Sequence, residues 1–437
     1  MKTIAKWIAA TLLLLTPAAA LPQLALPGVG PALPLPDRSL SNITDPLVNP
    51  VSGMVDTSVL DRLSKSELRT LLNRLRIDRL NQFLRQNRDY VERDRNGDPA
   101  VRGVLIVTGI SAASLERAQK EGFEILERNE IEGLDLSYVK FATRLGKQLK
   151  SEQKQLQKLA REAEVSADNI YFTSGAAAMP VNASALSSSM LAGGAARSGA
   201  MGLIDGGVAR HSAISMPVEQ RGFAKGAPIA SSHGTAIASL VSSSLKANAR
   251  GLLAADIYGN DPAGGNATAI ARALGWMAQR NVPVVAVSLV GPDNALLGRA
   301  VRAAQQKGML VVAAVGNDGP AAPARYPAAY KGVIGVTGVD RRERALPEAG
   351  IATPVDFAAP GAGIKGASLD GTLVPLRGTS FAAPLVAARL LAHYPATNIS
   401  KIESAVTGLI NEAKDLGKNG ADKIYGHGLV CGNCGVR

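Results

Sequence analysis

The sequence predicts an α/β fold: a parallel sheet with helices on both faces, preceded by a helical segment and a smaller α/β module. Three observations predict it. From Gly251 onward, apolar runs of strand length alternate with helix-length stretches, as Leu252 to Ile257, Ala267 to Arg280, Val282 to Leu289, Leu296 to Lys307 and Met309 to Val315. The strand-length runs are apolar on both faces, which is what a sheet covered on both sides requires. The chain has 437 residues, 46% of them hydrophobic, and 45 glycines, enough for one large α/β domain and a smaller one.

Taken in order, residues 1–20 carry Lys2 and Lys6, an apolar core from Trp7 to Leu15, and Thr16-Pro17-Ala18-Ala19-Ala20. This is the pattern of a removable export signal, and its apolar core is shorter than the roughly 18–20 residues of a membrane span. An exported protein, periplasmic or secreted, with no transmembrane span after signal removal is therefore expected. Residues 21–55 form a lead with seven prolines between Leu21 and Pro50 and no helical or strand period, so an extended segment is expected. Residues 56–98 form an amphipathic helical segment: Leu60, Leu63, Leu68, Leu71, Leu72, Leu75, Leu80, Phe83 and Leu84 recur at helical spacing, with Ser64 and Glu67 as a capping box. Its arginine-rich opposite face is read as a solvated surface.

Gly97-Asp98-Pro99 ends that helix. Residues 99–173 then read strand (Val101 to Val107), helix (Ala112 to Glu121), strand (Phe123 to Leu126), strand (Ser137 to Ala142), helix (Lys147 to Ala163) and strand (Asn169 to Phe172). That β-α-β-β-α-β order predicts a ferredoxin-like arrangement. Residues 174–198, poor in charge and rich in Ala, Ser and Gly, read as a linker or processing region. The main domain spans 199–430, and 431–437 is a tail carrying Cys431 and Cys434 in a CxxC pattern. A local disulfide is expected there. A zinc site needs more ligands than the nearby His427.

Net positive charge is unevenly shared: residues 174–437 hold 24 Lys and Arg against 15 Asp and Glu, +9 of the chain's +12. Aromatic residues are only 4% and are not interleaved with the basic ones, so no nucleic-acid partner is expected. No cofactor is expected either, and the short segment from Leu245 to Arg250 lacks the oxygen ligands calcium requires.

Four short pieces carry the chemistry. Leu376 to Ala388 places Ser380 behind Gly378-Thr379 at the start of a small-residue helix, where unpaired N–H groups favour negative charge. Gly202 to Val208 is a buried run that delivers Asp205 at its end, and Ser232-His233-Gly234-Thr235 places one of only four histidines at a helix start. Val312 to Gly319 ends a buried run with Asn317. Together they supply a nucleophile, a base, a carboxylate to orient the base, and an amide to meet developing charge.

These motifs, in the order Asp205, His233, Asn317, Ser380, resemble those of the subtilisin-like serine endopeptidases, and the resemblance covers roughly residues 200–430. Val287 to Gly291, Val355 to Gly361 and Tyr425 to Val430 resemble further landmarks of that family. The resemblance implies catalysis by Asp205, His233 and Ser380, an oxyanion hole from Asn317 and the Ser380 N–H, and polypeptide substrates. It implies that Ser288, Leu289, Val290 and Gly291 pair with substrate, and that Ala314, Val315, Gly316 and Arg325 line the neighbouring pocket. It further implies that the ferredoxin-like module acts as an intramolecular inhibitor and folding aid.

Three positions depart from the family pattern. Gly206 stands where serine or threonine usually follows the aspartate, Val290 where a glycine usually lines the substrate strand, and Leu385 where histidine commonly follows the Ser-x-Ala-x-Pro run. Arg325 either floors the pocket and selects acidic side chains, or turns out to solvent beside a pocket narrowed by Val290. The competing reading of the whole chain is a catalytically silent exported peptide-binding protein on the same fold.

Overall fold

The computed structural model describes residues 64–173, 199–245, 251–432 and 434. The expected export signal, the Pro-rich lead, the first residues of the helical segment, the expected linker of 174–198, residues 246–250 of the segment read as lacking calcium ligands, and the last residues of the tail lie outside them. Helix α1 (Lys65–Gln86) opens on Ser64, whose Oγ accepts from the Glu67 N–H while the Glu67 carboxylate accepts from the Ser64 N–H. The capping box expected from sequence therefore forms, satisfying two donors that a helix start leaves unpaired.

The module that follows contains β1 (Val91–Arg93), β2 (Pro99–Thr108), α2 (Ala112–Lys120), β3 (Glu124–Ile131), β4 (Leu136–Ala142), α3 (Leu149–Leu159) and β5 (Glu164–Asn169). β2 pairs antiparallel with β4 and with β5, β3 pairs with β4, and β1 adds to the start of β2. The order β3-β4-β2-β5 is that of a split βαβ unit. Its core is Leu105, Val107, Phe123, Phe141, Leu149 and Leu156, all at most 2% exposed.

Against expectation, β3 runs on to Ile131 and α3 stops at Leu159, and the end of the module differs most. The last strand of the module is Glu164–Asn169, not Asn169 to Phe172, and Phe172–Thr173 is a separate strand, β6, in another sheet. The cause is polar. At the end of β5 the Asp168 carboxylate accepts from the N–H and hydroxyl of Thr268, and Asn169 is held by Asn294 Nδ2 at 2.9 Å. Those partners lie in the main domain, so alternation within the strand could not reveal them.

The main domain contains β7 (Met201–Asp205), β8 (Val218–Gly222), α4 (Ser232–Leu245), β9 (Leu252–Asp256), α5 (Ala267–Gln279), β10 (Val284–Val287), β11 (Leu289–Val290), α6 (Ala295–Gln306), β12 (Leu310–Ala314), β13 (Ile334–Val339), β14 (Phe357–Pro360), β15 (Ala362–Ala367), β16 (Leu373–Arg377), α7 (Thr379–His393) and α8 (Ile402–Glu412). Seven strands form one parallel sheet in the order β14-β13-β12-β10-β7-β9-β8. One face is covered by α4, α7 and α8, with α7 buried along most of its length, and the other by α5 and α6. The module sits on the α5–α6 face, where its Ile106, Ile131, Leu134 and Tyr138 join the same apolar core. Burial of one such side chain stabilises by roughly 1.5–3 kcal/mol.

The run Val282 to Leu289, expected as one strand, is broken at Ser288. Val284–Val287 stays in the parallel sheet, and Leu289–Val290 turns away to pair with β6. Among the described residues no helix is long and apolar enough to cross a membrane. Cys431 and Cys434 are joined as a disulfide.

Candidate active site

The carboxyl end of the parallel sheet gathers the polar residues, as ligand sites in such sheets do. Asp205 is the last residue of β7, Ser288 follows β10, and Gly316 and Asn317 follow β12. Across from these ends, α4 begins at Ser232 and α7 at Thr379. The loops leaving three strands therefore face the starts of two helices.

His233 Nδ1 lies 2.9 Å from both carboxylate oxygens of Asp205, and its Nε2 lies 3.0 Å from Ser380 Oγ. Asp205 and Ser380 are fully buried and His233 is 8% exposed. In the tautomer with the proton on Nδ1, the ring donates to Asp205, and Nε2 accepts from the serine hydroxyl. Asp205 Oδ1 also accepts from the Gly206 N–H at 2.8 Å. Beside it, burial pushes the Asp256 carboxyl above the usual range, although three backbone N–H groups, those of Ile229, Tyr258 and Gly259, oppose the shift. Such an arrangement can draw a proton from Ser380 and hold the resulting imidazolium.

The two ends of the site are laced together at Thr379. Its N–H donates to Asn317 Oδ1 at 3.0 Å, and its hydroxyl accepts from the Gly316 N–H. That fixes the amide with Nδ2 turned toward Gly378, where a Cβ would meet Nδ2 at 2.7 Å and Ser380 Oγ at 3.5 Å. Gly378 has φ 141°, a conformation L side chains rarely adopt. Room beside Ser380 Oγ thus depends on that glycine.

Ser288 proves to have a different surrounding from the one its place in the sequence suggested. It is fully buried, and its hydroxyl donates to the Ser380 carbonyl at 2.9 Å. The reason lies in α7. Pro384, four residues after Ser380, has no N–H to give that carbonyl. Ser288, in the break between β10 and β11, supplies the donor instead.

Leu289 and Val290 pair antiparallel with Thr173 and Phe172. The segment just before them is held on its other side as well: the Tyr171 N–H donates to the Gly265 carbonyl, Ile170 bridges Asn266, and the Tyr258 hydroxyl donates to the Tyr171 carbonyl. Gly291 packs against the Tyr171 ring, whose hydroxyl donates to the Pro292 carbonyl. The wall formed by Tyr258, Gly265 and Asn266 was missed in the sequence. Its only signal is Gly264-Gly265 just before the helix-capping Asn266, and Gly265, at φ 75° with the Tyr258 ring against it, leaves no space for a side chain.

Ala314, Val315 and Gly316 are buried, and Val290 Cγ1 stands 3.3 Å from where a side chain on Gly316 would begin. Val290 therefore narrows the pocket. Arg325 is only 7% exposed, so it does not turn out to solvent. Its Nη2 donates to Asp318 Oδ2 at 2.6 Å. Burial raises the Asp318 carboxyl, but Arg325, Arg79 and Arg76 outweigh it and hold the group below its usual range. The guanidinium is thus paired with Asp318 within the protein, which corrects the expectation that it turns out to solvent. The other departures have local explanations. Ser231 fills the space a side chain at Gly206 would take, and Leu385 is fully buried in the core. Among the described residues no group of three or more His, Cys, Asp or Glu is arranged to hold a metal ion.

Residues 218–428 match the family model described as the subtilase family. Subtilisin BL from Lederbergia lenta is 32% identical over 188 residues, covering 43% of this chain and 68% of that protein. The chain belongs to the subtilase family. Minor extracellular protease Epr from Bacillus subtilis is 32% identical over 171 residues, 38% of this chain, and this subtilase spans 26% of Epr's length. Among solved structures, fervidolysin from Fervidobacterium pennivorans, a keratinolytic enzyme related to subtilisin, matches with a TM-score of 0.56 at 17% identity over 77% of this chain and 61% of its own. That likeness concerns the fold. The family match begins at Val218, after Asp205, so the aspartate joins the site through its hydrogen bonds to His233.

Proposed function

We propose that this subtilase is an exported serine endopeptidase that hydrolyses peptide bonds through Asp205, His233 and Ser380. The observation that carries the reading is the unbroken chain of hydrogen bonds from the Asp205 carboxylate through both nitrogens of His233 to Ser380 Oγ. Ser380 attacks the carbonyl while His233 takes its proton. The oxyanion is met by Asn317 Nδ2 and the Ser380 N–H, and His233 then protonates the leaving amine. Water hydrolyses the acyl-enzyme by the same path in reverse. Substrate adds a strand along Leu289–Val290, with Ser288 beneath, positioning the nucleophile's backbone.

Residues 99–173 act in this reading as an intramolecular inhibitor. Support comes from Phe172–Thr173, which occupy the strand position a substrate needs, and from Asp168, which caps α5. Cutting between about Tyr171 and Met179 would release the module. The test is labelling with a fluorophosphonate and mapping by mass spectrometry. Label is expected on Ser380 of the processed protein, and Ser380→Ala is expected to lose the label and accumulate as the uncut chain. Labelling elsewhere, or processing of the Ser380→Ala chain in isolation, would refute the proposal.

A further inference from the structure

Helix α1 lies outside the split βαβ unit, yet it reaches the main domain at two points and β6, the strand paired there, at a third. Arg79 Nη2 donates to Asp318 Oδ1 at 3.1 Å, one residue beyond Asn317. Leu72, 4% exposed, covers Gly319, where a Cβ would come within 2.7 Å of the Leu72 Cβ. Phe83 stands edge-on to Phe172, with ring centroids 4.9 Å apart and planes at 89°. The spacing of positions 72, 79 and 83 puts these three side chains on one helix face. Between that face, β6 (the tail strand of the module, Phe172–Thr173) and the cleft remains a cavity of about 40 Å³, lined in part by Arg76, Val290 and Arg325, room for no more than a few waters.

The tail strand itself is only two residues long. A ladder that short holds weakly once the chain is cut after it. We infer that α1 is a strap, an inhibitory element separate from the ferredoxin-like module, which docks Leu72 and Arg79 on Gly319 and Asp318 and pins Phe172 against Val290 with Phe83. The inference rests on the peptidase reading above. It makes release of the cleft depend on two events, cutting of the tail and departure of the helix. The catalytic-domain surface around Asp318 and Gly319 is accordingly a docking site for an arginine-bearing helix, its occupant being this chain's own.

The test uses the full chain with Arg79→Glu, with Leu72→Ala, and with Arg74→Glu as a control that makes the same charge change at an exposed position of the same helix. Chain cutting is followed on gels and hydrolysis of a chromogenic peptide is followed in parallel. The wild type is expected to show a lag between cutting and full hydrolysis. Arg79→Glu and Leu72→Ala should shorten that lag about tenfold, equivalent to ~1.4 kcal/mol of docking, while Arg74→Glu keeps it and all final rates per labelled site agree. The same lag in all four chains would overturn the strap. So would failure of both cleft-facing variants to fold when the control folds, since α1 would then be a folding element. Absence of hydrolysis and of fluorophosphonate label in every chain, wild type included, would instead refute the peptidase reading on which the strap rests.

Discussion

Replacing Ser288 with alanine removes one hydroxyl and tests how the nucleophile is held. Ser288 is fully buried and donates to the Ser380 carbonyl at 2.9 Å, while Pro384 denies that carbonyl its ordinary helical donor. A buried acceptor deprived of its partner costs about 1–3 kcal/mol. The measurement is urea unfolding in the Ser380→Ala background, which keeps the carbonyl and prevents self-digestion. Ser288→Ala should lose about 1–3 kcal/mol there. Adding Pro384→Ala returns an N–H to the helix in reach of the same carbonyl, so in that background the Ser288→Ala penalty should shrink by more than ~0.5 kcal/mol, the usual limit of additivity for independent sites. In the active chain, kcat should fall about tenfold with little change in KM, as the backbone beneath the nucleophile loosens. Equal penalties in the two backgrounds would refute the account of Ser288 as substitute donor.

Asn317→Ala should lower kcat by about 10² to 10³ with a smaller effect on KM, and a loss confined to KM would make the amide structural. Gly378→Ala should lower kcat as well, since its methyl would meet Asn317 Nδ2 at 2.7 Å and the backbone is at φ 141°; unchanged kcat would contradict the placement of the amide. Arg325→Gly strips a partner from Asp318, and breaking such a pair from one side costs about 3–5 kcal/mol. Arg79 offsets part of this in the full chain, so the loss should be greater in the processed enzyme, and adding Asp318→Gly should recover most of it; an undiminished loss in the double variant would exclude the pair as the cause. Asp318 also sets an acid limit. Its carboxyl is held below the usual range by Arg325, Arg79 and Arg76 against burial, so its contribution is fully present above the unfolded value of about 3.9 and fades as pH falls through the lower folded value. Unfolding of the full chain with Ser380→Ala, measured between pH 6 and 2, should therefore lose stability more steeply than the same chain carrying Asp318→Asn, and coincident curves would contradict this.

The parts of the site legible in the sequence share a physical reason. Asp205 ends a buried strand, Asn317 follows another, and His233 and Ser380 open helices, so each is placed by local backbone chemistry that a short stretch of sequence records. The parallel sheet was legible for the same reason, its strands being apolar on both faces. What stayed hidden depends on partners far apart in the chain. Ser288 and Ser380 are separated by 92 positions and Arg79 and Asp318 by 239, and nothing local to either member announces the other. Arg325 shows why this matters. A guanidinium in a pocket predicts affinity for a carboxylate, and the pocket does contain one, but it is the protein's own Asp318. The run Val282 to Val290 makes the same point in the backbone: continuous apolar character cannot mark where a strand leaves its sheet, because both pieces are buried. The break falls at Ser288, the one polar residue of that stretch after Asn281, and its hydroxyl is spent on the helix that carries the nucleophile. The strand that pairs with β6 and the residue that supports Ser380 are therefore adjacent in sequence, so a shift of β11 would act directly on the backbone at Ser380.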